Sequence, residues 1–112
     1  MDRNELEKYN VGENLDALMT LDPRGYGVCR ILYAGSRAHT GAPLTMAAAE
    51  ALCRELKEND PVVILTGFVL LPHTVPELDG MVRSLLLSRA LVLAFNATPL
   101  ITCQEATLEP LQ

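Results

Sequence analysis

Between Thr66 and Gly80 the chain gathers most of the residue types that small-molecule chemistry needs. Glu77 and Asp79 stand two apart. Either could bind a ligand's ammonium group, act as a general base, or offer hard oxygens to a divalent cation such as Mn²⁺ or Mg²⁺. His73 completes the pattern His-x-x-x-Glu-x-Asp, which makes His73 and Asp79 the candidate metal ligands, at a spacing that matches no established metal signature. Thr66 can hydrogen-bond a ligand or simply end a strand. Gly67 would let a ligand approach the backbone, and the free amides of a helix opening at Gly80 could hold a carboxylate. Each residue also has a purely structural use. Asp79 can cap the helix, Glu77 can sit near its positive end, His73 can be a solvated loop residue, and the glycines can merely permit a turn. Outside this loop, Arg24 in Asp22-Pro23-Arg24-Gly25 offers a planar fork for a carboxylate, or pairs with Asp22 inside its own turn.

The elements that must position these groups can be read from hydrophobic period and punctuation. Asn10 followed by Glu13 has the form of a capping box, and Val11, Leu15, Leu18 and Met19 recur at helical spacing behind it. Residues 22–27 break that helix with Pro and Gly. A second helix carries Val28, Ile31, Leu32 and Gly35 on one face and runs out near Gly41. Thr45 is the expected N-cap of a third, whose inner stripe is Ala48, Ala49, Leu52, Cys53 and Leu56. Asn59-Asp60-Pro61 stops it.

The texture then changes. Val62-Val63-Ile64-Leu65 is continuous and uncharged, the pattern of a central parallel strand buried on both faces. Residues 80–95 are apolar on nearly all sides, which predicts a buried helix. Asn96 ends that helix, and residues 99–103 read as a second strand. The fold class is therefore α/β: N-terminal helices, then a βαβ unit of a parallel, Rossmann-like three-layer sheet. The candidate loop lies past the carboxyl end of a strand and before a helix, where open α/β sheets bind ligands. Two parallel strands make a marginal sheet, so the expectation is an incomplete one, finished by chain beyond Gln112 or by self-association.

At 112 residues, 49% hydrophobic and 21% charged, the chain suits one globular domain or part of one. A net charge of −5 with no basic run, and five aromatic residues without Trp, argue against a nucleic-acid surface. No stretch is apolar for long enough to span a membrane. The first residues resemble neither a signal nor a transit peptide. Three widely spaced cysteines, Cys29, Cys53 and Cys103, read as reduced, buried structural thiols of an intracellular protein.

Several stretches in order, Val11-Gly12-Glu13-Asn14-Leu15, Asp22-Pro23-Arg24-Gly25-Tyr26-Gly27-Val28, Gly41-Ala42-Pro43-Leu44-Thr45, Ile64-Leu65-Thr66-Gly67-Phe68 and Pro76-Glu77-Leu78-Asp79-Gly80, resemble the C-terminal domain of the D-glutamate cyclase family. The likeness covers residues 11–103, leaving 1–10 as an N-terminal extension and 104–112 as an irregular tail. Leu78, Met81 and Arg83 depart from the family pattern. The resemblance implies a hydro-lyase that dehydrates D-glutamate to 5-oxo-D-proline, a small acidic amino acid as ligand, and a mitochondrial matrix location in animals (cytoplasmic otherwise). In that chemistry Glu77 and Asp79 are the catalytic candidates, and Arg24, Thr66, Gly67 and Gly80 the substrate-binding ones. A second reading is a catalytically inactive, shortened α/β module that keeps only an interaction surface. A Rossmann-type nucleotide binder is disfavoured, because Thr66-Gly67-Phe68 carries no Gly-x-Gly-x-x-Gly and no P-loop.

Overall fold

In the computed structural model residues 1–70, 72 and 75–105 are described, and they divide into two units, Met1–Glu55 and Leu56–Gln112. His73 and residues 106–112 lie outside the described residues.

The N-terminal unit is three helices: α1 (Arg3–Met19), α2 (Val28–Thr40) and α3 (Leu44–Glu55). The first starts earlier than its apolar repeat suggests. Asp2 and Glu5 form a reciprocal capping box, so Asn10 lies inside the helix and residues 3–10 form its first turns. Helix α1 packs on α3 at Gly12, where an added Cβ would lie 2.7 Å from Pro43 Cβ and 2.9 Å from Met46 Cβ. Only a residue without a side chain admits this approach, and Pro43 is fully buried beneath it.

The apolar stripes foreseen on α2 and α3 are not core. Val28, Ile31 and Leu32 are exposed, as are Ala48, Ala49, Leu52 and Cys53. The physical reason is that α3 meets α1 through the turn at Pro43–Met46, which leaves the rest of its apolar side outward. Cys29 and Cys53 are likewise exposed and Cys103 half-buried, all with free thiols, which corrects the expectation of buried cysteines.

In the C-terminal unit, β1 (Pro61–Leu65) pairs in parallel with β4 (Thr98–Thr102), and α4 (Leu78–Phe95) makes the crossover. Two asparagines in left-handed backbone conformation, Asn59 (φ 66°) and Asn96 (φ 50°), close the turns that enter the two strands. Those turns are tied together: the Asn59 amide donates to the Asn96 carbonyl at 3.1 Å, and the Thr98 amide to the Asp60 carbonyl at 2.9 Å. This pins the register that sets Pro61 opposite Thr98 and Leu65 opposite Thr102.

Both strands alternate between half-buried and exposed residues. Strand β1 therefore has one covered face and, among the described residues, one partner, instead of the two-sided central position that its composition suggests. Helix α4 follows the same logic. Met81, Ser84 and Leu91 are buried, while Val82, Leu85, Leu86, Val92 and Leu93 are exposed, because a two-stranded sheet can cover only one side of a helix. The intervening loop contains a short antiparallel ribbon, β2 (Val69–Leu70) with β3 (Val75–Pro76), where irregular chain was expected. No described helix is long and apolar enough to cross a membrane.

Candidate functional site

Thr66 continues the β1 ladder by one bond, its amide donating to the Thr102 carbonyl at 2.9 Å. Its side chain then lies over the first turn of α4: a Cβ built on Gly80 would sit 2.9 Å from Thr66 Oγ1. The missing side chain at Gly80 thus lets the strand end and the helix start meet. Ser84 locks the same turn by donating to the Gly80 carbonyl at 2.7 Å.

Gly67 is buried with φ 114°, a conformation that side-chain-bearing residues rarely adopt. The space beside it belongs to the chain leaving β4, for a Cβ there would lie 2.7 Å from the Gln104 amide nitrogen and 3.2 Å from Cys103 Cα. The close approach that Gly67 permits is therefore made by the protein's own backbone.

The two acids are at the same end of this unit. Glu77 occupies the N-cap position of α4 with extended backbone, and its amide donates to the Phe68 carbonyl at 2.9 Å. Its carboxylate is exposed and makes no capping bond. Asp79 is engaged: one oxygen accepts from the Gly80 amide at 2.8 Å, and the other lies 3.5 Å from Arg83 in a solvated i,i+4 pair. Thr66, Gly67, Glu77, Asp79 and Gly80 are thus gathered where β1 ends and α4 begins, with the helix's positive end nearby. Arg24 belongs to the other unit. It is exposed and has no ion pair among the described residues, and Asp22 accepts from the Gly25 and Gly27 amides instead. Among the described residues no three His, Cys, Asp or Glu side chains come together as a metal site. His73, the other candidate metal ligand, lies outside the described residues.

A second polar constellation, missed in the sequence, lies in the N-terminal unit. Asp16 on α1 is 2% exposed. Its Oδ1 accepts from the Thr45 amide at 3.0 Å and the Thr45 hydroxyl at 2.7 Å; its Oδ2 accepts from the Leu44 amide at 2.6 Å and the Tyr33 hydroxyl at 2.9 Å. The α3 N-terminus is therefore capped by a carboxylate from another helix, and Thr45 serves as donor inside α3, not as its cap. Burial by itself would push the Asp16 carboxyl up. The four hydrogen bonds outweigh that and hold it at about 2.

Arg37 lies 4.0 Å from Asp16 Oδ2 and is itself held by Glu13, by the Tyr33 hydroxyl at 3.1 Å and by the Tyr9 hydroxyl at 2.7 Å. Its pKa is raised, first by the Glu13 hydrogen bond, against opposing desolvation. Every carboxylate oxygen of Asp16 is already occupied, so this cluster joins three helices and does not offer a ligand site. An acid one helical turn after Gly12 was its only sequence signal.

Comparison with known protein-family models, curated proteins and solved structures finds no match for this chain.

Proposed function

We propose that the β1–α4 end of the C-terminal unit binds a small acidic amino acid, and that the chain is a D-glutamate cyclase-type hydro-lyase domain. The same reading takes the two strands as part of a Rossmann-like three-layer sheet, and a mitochondrial matrix location if the source is an animal. The observation that carries it is the meeting of the Thr66 hydroxyl with the Gly80 turn of α4, whose N-cap residue Glu77 has an exposed carboxylate that makes no capping bond.

The chemistry asked of these groups is modest in number. Cyclisation joins the amine nitrogen of D-glutamate to its own side-chain carboxyl carbon, and the C–O bond that breaks releases water. Holding the folded conformer supplies much of the rate of an intramolecular closure. Glu77 has the freedom to take a proton from the substrate ammonium. The Thr66 hydroxyl and the first-turn amides of α4 other than that of Gly80, which Asp79 accepts, lack intrahelical acceptors and supply donors for the carboxylate and the developing oxyanion.

The second reading, an inactive α/β module, is favoured by two details. The Asp79 carboxylate is engaged with Arg83 and the Gly80 amide, and the space at Gly67 is filled by the Cys103–Gln104 backbone.

Conversion of D-glutamate to 5-oxoproline by the purified chain, with and without Mn²⁺ or Mg²⁺, separates the two. Turnover that Glu77→Gln abolishes supports the lyase. A folded chain that neither binds nor converts D-glutamate sinks it and leaves the inactive module.

A further inference from the structure

The side of the N-terminal unit where α1 and α3 run together is an open groove of about 720 Å³. Its floor is apolar, formed by Val11, Leu15, Met46, Ala49 and Cys53. Val11 is 57% and Leu15 45% exposed, so the floor has water where a partner would give it cover. Four ions edge the groove, and they are not equivalent. Glu7 is taken up by Arg3 at 2.9 Å, and Arg54 by Glu55 at 2.8 Å. Lys8 on α1 and Glu50 on α3 are exposed and have no ion pair or hydrogen bond among the described residues. One wall thus carries a free cation and the other a free anion.

We propose that this groove is a homodimer interface, in which a second copy of the chain packs the same face about a two-fold axis and Lys8 of each protomer pairs with Glu50 of its partner. A two-fold contact requires a self-complementary patch, since whatever one protomer offers it must also receive. An apolar strip with one unpaired charge of each sign on opposite walls meets that requirement, and every cross-pair is formed twice. Net charge points the same way. Two copies of a chain of net −5 repel one another over most of their surface. The groove's edge is locally balanced, two acids against two bases, so it is a face on which copies can meet without that penalty. A partner of predominantly one sign would set a like charge against either Lys8 or Glu50, at a cost in affinity. This inference is independent of the lyase reading, because it uses no residue of the β1–α4 end.

The test is the molar mass of the full chain in solution as a function of concentration, for wild type, Lys8→Glu, Glu50→Lys and the double variant, with helix content checked for each by circular dichroism. The wild type is expected to dimerise. Each single reversal should weaken the dimer about tenfold or more, since two attractive pairs become two repulsive ones. The double variant should restore wild-type affinity within a few-fold. A wild type that stays monomeric would overturn the proposal. So would single variants that dimerise as the wild type does, or a double variant no better than the singles.

Discussion

Thr45 donates twice to one oxygen of Asp16, from its amide at 3.0 Å and its hydroxyl at 2.7 Å, so one residue of α3 and one of α1 are joined by two bonds of different kinds. With the Leu44 amide on the other oxygen, a capping interaction becomes a tertiary contact. Asp16→Asn should therefore cost more than an ordinary surface cap. Asparagine keeps one acceptor and turns an NH₂ group toward donors that then go unsatisfied. We expect a loss of about 2–4 kcal/mol, read from chemical denaturation followed by helical circular dichroism. Tyr33→Phe should cost less, since it removes one donor and leaves the carboxylate charged.

The same carboxylate sets an acid limit. Its pKa is 3.8 when unperturbed and about 2 in the folded chain, so between these values the unfolded state binds more protons. The contribution of Asp16 is fully present above pH 3.8 and is lost as pH falls through about 2. Denaturation midpoints measured from pH 5 to pH 2 should fall in this window for the wild type. In Asp16→Asn the fall should be smaller, because the titrating group is gone.

At Gly12, α1 meets Pro43 and Met46 at the start of α3 with no room for a side chain. Gly12→Ala introduces a methyl that would lie 2.7 Å from Pro43 Cβ, and Pro43 is too rigid and too buried to yield. Although alanine favours helix over glycine by about 1 kcal/mol, overpacking should win and lower stability by about 1–3 kcal/mol. Thermal unfolding of the variant checks the sign.

Gly67 and Gly80 should respond differently to the same substitution. Gly80→Ala presses on a side-chain hydroxyl, so the strain should be relieved by combining it with Thr66→Ala. Gly67→Ala presses on the Gln104 backbone nitrogen and also demands a left-handed φ of 114°, and no side-chain deletion can relieve either. The double variant Thr66→Ala/Gly80→Ala should melt close to Thr66→Ala alone, whereas Gly67→Ala should stay destabilised in any of these backgrounds.

What could be read in the sequence was local. Asp22-Pro23 after α1, Gly41 after α2 and Asn96 after α4 act on their own backbone, and the helices end where these residues say. The four-residue apolar run before Thr66 gave β1 within one residue. What could not be read depends on groups far along the chain. Asp16 looks like one more acid on a helix until the Leu44 and Thr45 amides arrive beside it. The exposure of Cys53 depends on what α3 meets, not on its own composition. The β2–β3 ribbon has two residues a side, too few for an alternating pattern to declare itself. At the candidate site, sequence order brought Thr66, Gly67, Glu77, Asp79 and Gly80 to one loop. It carried no sign that the residues after β4 fill the space beside Gly67.

The parallel pairing of β1 with β4 also orders events during synthesis. The hydrogen bonds between helices of the N-terminal unit span 17 to 33 residues, and every residue in them precedes β1 in the chain. Strand β1 depends instead on chain that follows it. Each rung from Pro61–Thr98 to Leu65–Thr102 waits until the whole of α4 and the Asn96 turn have left the ribosome, while Val62, Val63, Ile64 and Leu65 stand as an unpaired apolar edge. The nascent chain therefore passes through an interval in which its first half is folded and its next strand is open to aggregation or to a chaperone. The length of that interval is set by how quickly the ribosome translates the stretch from β1 to β4.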